Sequence, residues 1–496
     1  MSGDSKRQTS LTQSAASKHL GRKQVVLIVL CIGQMMVIID NTVVNVALPT
    51  IQRELHFSSA GLSWVVDAYL ITFGGFLLLA GRLGDLLGRK RVLLAGLVLF
   101  TAASLVCGVS SSAGLLVAGR FIQGVGAAAV SATCLGLIAT LFPAPAERGR
   151  AMSTYSFVAI SGGSIGLLLG GVVVEAFSWH WIFFINLPIG IGAFIACWIL
   201  VEEHVGLGIG EGADVIGAFL ITFSPMLAVY GLVTVSQHGW SSSITIGSLA
   251  GAVALTVLFI ALQSRLRHPL IRLALFHNRN LALADVIRGL FGVGVFGIFF
   301  LGVLYFQEVR GYSAVVTGLA YLPFTLTSSS TALFVTARLM HRIGAKRTML
   351  VGLTFFTIGL VVWTQVPARG SYLGMILPAL LVGGLGGGLT SAPNITIGMT
   401  DVDTDDAGLA SGLVSVALQM GGAIGIAVLA TLSTTKAQTL MAKGVPTHVA
   451  LTAGFRLAYV VTAGCMIVAL ALALALAIRS GRGRPLDREG SMATAD

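Results

Sequence analysis

Residues 81–91 read Gly-Arg-Leu-Gly-Asp-Leu-Leu-Gly-Arg-Lys-Arg, and residues 337–347 read Ala-Arg-Leu-Met-His-Arg-Ile-Gly-Ala-Lys-Arg. Arg82, Leu83, Gly88, Lys90 and Arg91 recur 256 positions later as Arg338, Leu339, Gly344, Lys346 and Arg347. Both stretches stand between long apolar runs. A basic, glycine-punctuated turn joining two apolar segments, and repeated once, marks a chain of two related halves.

The runs on either side set the solvent. Hydrophobic residues make up 55% of the chain and charged residues 10%, far from the balance of a water-soluble domain. Mean hydropathy is +0.90. A helix needs roughly 20 apolar residues to cross the hydrocarbon core. That template predicts fourteen spans, near 24–46, 62–80, 92–109, 114–138, 151–174, 182–201, 214–235, 242–263, 284–307, 314–336, 348–364, 372–393, 407–431 and 453–478. An even number puts both termini on one side of the bilayer.

The net charge of +11 could suggest nucleic acid, so the placement of the charges decides. With the N-terminus cytoplasmic, 23 of the 31 Lys and Arg fall in inside segments, against six in outside loops and two, Arg120 and Arg288, within spans. That bias is the positive-inside signal and assigns the basic balance to topology, not to nucleic acid. Two inside loops break the pattern locally: 202–213, and 401–406 with Asp401, Asp403, Asp405 and Asp406. The first apolar run is too long for a cleavable signal peptide and serves as a signal anchor. Cys31, Cys107, Cys134, Cys197 and Cys465 lie scattered through apolar runs with no metal or redox spacing and read as small fillers.

The repeat extends past the basic turns. Arg120, Gly124, Gly126 and Ser131 align with Leu380, Gly384, Gly386 and Ser391 at an offset of 260. Gly149, Ala151, Gly162, Gly163 and Gly166 meet Gly408, Ala410, Gly421, Gly422 and Gly425 at 259. Spans one to six thus correspond to spans nine to fourteen, with the seventh and eighth inserted between. The expected organisation is a disordered cytoplasmic tail over 1–23, a six-helix bundle over 24–202 and the inserted pair over 203–264. A cytoplasmic linker over 265–283, a second six-helix bundle over 284–479 and a tail over 480–496 complete it. Such a layout suits a transporter, whose substrate sits between halves that rock against each other. The repeat is asymmetric in charge: Arg120 becomes Leu380 and Asp85 becomes His341.

Four stretches carry a family resemblance: the turn at 81–91, Asp40-Asn-Thr-Val-Val-Asn45-Val-Ala-Leu-Pro49, Gly119-Arg-Phe-Ile-Gln-Gly124, and Ser178-Trp-His-Trp-Ile-Phe-Phe-Ile-Asn-Leu-Pro-Ile-Gly190. Over roughly residues 24–480 the chain resembles the fourteen-helix drug:proton antiporters of the major facilitator superfamily (EmrB/QacA type). The resemblance implies an all-α polytopic membrane protein with the major facilitator fold, two pseudo-symmetric six-helix bundles plus two inserted helices. It further implies a monomer in the bacterial inner (plasma) membrane that exports small lipophilic, including cationic, compounds against protons, with no cofactor. The alternatives are a dedicated exporter of one antibiotic or metabolite, an uptake carrier or a polytopic sensor. In one motif the chain departs from the family: the fifth span reads Gly166-Leu-Leu-Leu-Gly170-Gly171 where the family has Gly-Pro-x-x-Gly-Gly, and the built-in bend is lost.

The residues suggest the roles. Asp40 lies deep in the first span, where an ionised carboxylate facing lipid costs several kcal/mol. Such groups face a cavity, and loss of water favours their neutral form, so a proton can load and unload. Gln34, Asn41 and Asn45 add a polar stripe beside it as substrate-cavity candidates. Arg120 is the basic residue deepest in a span and needs an acceptor, for which Asp40 is the natural partner; a static pair is the plainer reading. Arg288, about a turn from a cytoplasmic end, is expected to snorkel. Asp67, beside Trp64 and Tyr69, is either a solvated interfacial carboxylate or, on the resemblance, a substrate or proton group. In the turn, Asp85 is expected to cap a cytoplasmic helix N-terminus and latch the halves. Gly81, Gly84 and Gly88 allow close approach there, and Arg82, Arg89, Lys90 and Arg91 pair with acidic groups or lipid heads. Gly162, Gly163, Gly166, Gly170 and Gly171 give the fifth span a smooth packing face. Asp214 and Asp285 read as helix caps. No nucleotide-binding loop, metal-ligand spacing or nucleophile–base pair appears, so the chain does not read as an enzyme.

Overall fold

No proline interrupts the chain before Pro49, and the first helix runs unbroken through the first apolar run: α1, Ser2–Glu54. The computed structural model describes residues 2–142, 144–203, 206, 208, 212–266, 268–368, 370–400, 402 and 406–481. Residues 482–496 of the expected tail, with Asp401, Asp403 and Asp405, lie outside them.

The N-terminal half continues with α2 (Trp64–Leu87), α3 (Arg89–Gly108), α4 (Ala113–Leu141), α5 (Pro145–Ala176), α6 (Trp181–Phe184) and α7 (Asn186–Leu200). The inserted pair is α8 (Val215–His238) and α9 (Ser243–Gln263). The C-terminal half is α10 (Arg279–Leu304), α11 (Ala314–Ser330), α12 (Ala337–Ile343), α13 (Ala345–Trp363), α14 (Leu377–Gly398), α15 (Ala407–Ala442) and α16 (Thr447–Gly481). Among the described residues there is no strand. Helix starts carry the short polar residues that accept orphan amides: Ser112 from Leu115, Asp214 from Gly217 and Ser313 from Val316.

Twelve of the described helical segments are long and apolar enough to cross a membrane, against fourteen expected. The other two expected spans, 151–174 and 314–336, are also helical, inside α5 and along α11 with its continuation. They pack against each other. The described apolar part of the first, Ser161–Ala176, is short, and the Ser and Thr content of the second lowers its apolarity. Large apolar side chains lie exposed around the bundle, among them Ile28, Trp198, Val257 and Ile467, as a lipid-facing surface requires.

The repeated turns are built alike. Gly88 between α2 and α3 has φ of 98° and Gly344 between α12 and α13 has φ of 84°. Both lie in the left-handed region, where a Cβ is strained, which explains why this glycine survives in the degraded copy. These turns mark one end of the bundle, the basic end.

Two helix pairs make most of the contact between the halves: α2 with α15, and α5 with α11. The repeat maps α2 onto α11 and α15 onto α5, so the pairs are pseudo-symmetry mates. Two hydrogen bonds also cross between the halves at the end away from the basic turns. Gln307 Nε2 donates to the Val46 carbonyl at 2.9 Å, and the Val315 amide to Glu175 Oε2 at 3.2 Å. The inserted α8 lies along one seam and touches both sides of it. A Cβ on Gly75 of α2 would strike Thr222 of α8, and Thr431 of α15 donates to the Leu232 carbonyl of α8 at 3.0 Å.

Candidate functional site

The cost of a lone charge in the membrane interior predicts that Asp40 and Arg120 find each other, and they do. Arg120 Nη1 lies 2.5 Å from Asp40 Oδ2, and both side chains are wholly buried. The other carboxylate oxygen is held by two amides: Gln123 Nε2 and Asn186 Nδ2 each donate to Asp40 Oδ1 at 2.8 Å. Gln123 also accepts from Arg120 Nη1 at 2.7 Å, and Ser104 takes a second bond from Gln123 Nε2 at 2.8 Å. Three helices of one half, α1, α4 and α7, meet at this carboxylate, and α3 supports its amide partners through Ser104.

Arg120 is oriented from every side. Its Nε donates to the Val65 carbonyl at 2.9 Å, and its guanidinium lies 4.3 Å from the centre of the Tyr69 ring. The Tyr69 hydroxyl donates to the Val37 carbonyl at 3.2 Å, tying the ring to α1. One nitrogen, Nη2, is buried with no acceptor. Removing either member of such a pair strands the other charge, a cost of about 3–5 kcal/mol.

The expected polar stripe on α1 is separate from this cluster. Asn45 Nδ2 bonds back to its own helix, to the Asn41 carbonyl at 3.0 Å, while Asn41 is half-buried and Gln34 Oε1 is buried without a partner. One residue along a helix turns a side chain by about 100°. Asn41 therefore faces away from the side on which Asp40 meets Arg120.

Asp67 is not solvated at an interface. It is fully buried, with no ion-pair partner among the described residues and with the Ser63 hydroxyl one turn earlier as a polar neighbour. It lies two helical turns before Gly74, on the stripe of α2 that faces Gln419 and Met420 of α15. This carboxyl therefore lies on the side of α2 turned to the seam between the halves.

The basic turn is tied down inside its own half. Asp85 Oδ1 accepts from Arg89 Nη2 at 2.9 Å and Nε at 3.2 Å, and Arg89 Nη1 donates to the Gly136 carbonyl at 2.6 Å. Lys90 donates to the Trp198 carbonyl at 2.8 Å, and Arg91 pairs with Glu203 at 2.7 Å. Arg82 is half-buried, and Gly81 and Gly84 approach Ala132 and Thr133 of α4. Asp85 does not cap a helix here, contrary to expectation: its arginine neighbour one turn on holds it. Still, Leu78 of α2 packs on Gly412 of α15, and that antiparallel register brings Asp85 level with the start of α15, which has no side-chain cap.

The α5 glycines make the expected close contacts, on two faces. Added Cβ atoms on Gly162, Gly166 and Gly170 would meet Ile38, Ile39–Thr42 and Val43 of α1, and one on Gly171 would meet Ala314 and Val315 of α11. Gly163 is looser, with Thr42 at 4.0 Å.

Two smaller expectations change. Asp214 caps α8 as read, but Asn278 caps α10, leaving Asp285 nearly two turns inside it. Arg288 does not snorkel. It is 7% exposed, with Nε and Nη1 buried and unpartnered.

Gln123, Asn186, Ser104 and Tyr69 complete the site and were not singled out from sequence. Gln123 and Asn186 do stand inside the quoted stretches 119–124 and 178–190. Amides that deep in apolar runs carry their own signal, since each must find partners.

The profile of the Major Facilitator Superfamily matches residues 30–426. The multidrug resistance protein Stp of Mycobacterium tuberculosis is 36% identical over 403 residues, covering 81% of this chain and 74% of that protein. The cephamycin export protein CmcT of Amycolatopsis lactamdurans is 35% identical over 410 residues, covering 82% and 84%. Among solved structures, a bacterial homologue of the human lysosomal transporter Spinster, inward-facing and unoccupied, superposes with a TM-score of 0.66 at 14% identity, covering 94% of this chain and 99% of that one.

Proposed function

Because this chain belongs to the major facilitator superfamily, a family of multi-pass membrane transporters, we propose that it is a proton-coupled exporter of small lipophilic compounds, cationic ones among them. The observation that carries the reading is the sealed network at Asp40. A carboxylate held by Arg120, Gln123 and Asn186 can exchange its cationic partner for a proton while its amide partners keep it in place. When Arg120 is close, the ionised form is favoured and the proton leaves. When Arg120 is drawn away by motion of α4, the carboxyl takes a proton back.

Export is supported by the printed roles of the relatives, multidrug resistance for Stp and cephamycin export for CmcT. The Lys and Arg bias supports a cytoplasmic placement of the basic end and of both termini. Two inter-half hydrogen bonds at the other end, with Asp85 turned onto Arg89, support assigning this form as closed to the outside, with the Asp85 latch released. Buried and unpaired at the α2–α15 seam, Asp67 supplies a carboxylate for a cationic compound between the halves.

A second reading, export of a single antibiotic or metabolite, draws on the likeness to CmcT. One experiment tests both. Purified protein in weakly buffered solution is challenged with a panel of drugs while pH is followed. Proton release by several unrelated cations supports multidrug export, release by one compound class supports dedicated export, and no release by any compound sinks the coupling.

A further inference from the structure

We propose that the outer seam between the halves holds a second cation site, built on Glu308, which makes the last contact with the cationic group of a departing compound. The helix α10 ends in a π turn, Tyr305–Val309, and such turns re-aim the side chains that follow an inserted residue. Tyr305 and Phe306 are fully buried against Trp363, Tyr321 and Phe455 of their own half. The next two residues turn to the other half. Gln307 donates to the Val46 carbonyl, and Glu308 lines a cavity of about 100 Å³ closed by Gln52 and Ser59 of the N-terminal half and by Thr434, Gln438 and Phe455 of the C-terminal half.

The chemistry of that lining selects a cation. Glu308 forms no ion pair among the described residues. Of the nearby arginines, Arg456 donates to the carbonyls of Val366 at 2.8 Å and Gln365 at 3.3 Å, and Arg310 Nη2 donates to that of Gly370 at 2.7 Å while its Nη1 is buried without a partner. A carboxylate without an ion-pair partner, set in a largely apolar lining with a few hydroxyl and amide groups and the rings of Phe300 and Phe455, fits a substituted ammonium.

Depth gives the site its place in the path. The α2–α15 register, with Gly74 on Gln419 and Leu78 on Gly412, sets Asp67 about one turn deeper than the cavity wall formed by Leu62 and Ala430. Two carboxylates thus stand at successive depths along one seam. Parting the halves here breaks the Gln307–Val46 bond and opens the buried Asp67 to water, whereas Glu308 is already exposed. Cation binding needs nothing from the export reading; the direction of passage rests on it.

The test uses the full chain carrying Thr434→Cys, labelled with a methanethiosulfonate bearing trimethylammonium or one bearing sulfonate. Rates at position 434, normalised to those with a free thiol, are read by mass spectrometry. With Glu308 present the cationic reagent should be favoured by roughly tenfold. Glu308→Gln should bring the ratio near one and Glu308→Asp should retain part of it. An unchanged ratio in Glu308→Gln, in protein that elutes as folded, overturns the site. In vesicles, Glu308→Gln should slow tetraphenylphosphonium export severalfold. Normal export alongside a lost labelling bias overturns the release assignment. No export by the wild-type chain would count against the proposed function and leave the labelling result standing.

Discussion

Gln123 donates to Asp40 Oδ1 at 2.8 Å from one helical turn beyond Arg120, the residue that holds Oδ2. The two carboxylate oxygens are therefore governed by different kinds of partner. One faces the Arg120 guanidinium, the other a pair of neutral amides.

Asp40→Asn keeps the size and some of the hydrogen bonding but removes the titratable group. Accumulation driven by a proton gradient in proteoliposomes should fall to background, while drug-induced proton release disappears and the protein stays folded. Gradient-driven pumping at the wild-type rate would show that Asp40 is not the essential proton carrier.

Arg120→Leu should lower unfolding stability by about 3–5 kcal/mol, because it strands a buried carboxylate. In the double variant Asp40→Asn, Arg120→Leu much of that loss should return. Thermal unfolding of the four proteins gives the coupling directly. Additive losses would mean that the pair is not coupled in the membrane-embedded protein.

Asp85→Asn should lower turnover by roughly tenfold, the size of a modest coupling energy. The expectation is that Asp85 leaves Arg89 and caps α15 when the outer seam opens. Binding should shift only through the fraction of molecules in each state. Transport rate, binding and cysteine accessibility on the same sample check this. Normal turnover with normal state populations, or affinity lost in both states, removes the latch.

Tags at both termini should be reached only from the cytoplasm, and the turn at 443–446 should label from outside. External labelling of the 268–278 linker in intact cells would overturn the topology.

The architecture was legible because its signals are physical necessities. The repeated turn needs a glycine at 88 and again at 344, where φ is positive, and the apolar runs need lipid. Asp40 and Arg120 were legible because a full charge in hydrocarbon demands a partner. Gln123 and Asn186 were not, because a neutral amide costs less to bury and raises a weaker alarm. Asp67 misled through its neighbours. Trp64 and Tyr69 resemble an interfacial belt, but Tyr69 points inward and lies over Arg120. Glu308 gave no signal, since its position depends on a π turn that no apolar period announces.

The inserted helix α8 bonds to α15 and packs on α2, so it spans one of the two seams and has no counterpart at α5–α11. The molecule is thereby a book with a bound spine and a free fore-edge. Only the α5–α11 side can part without shearing against an inserted helix.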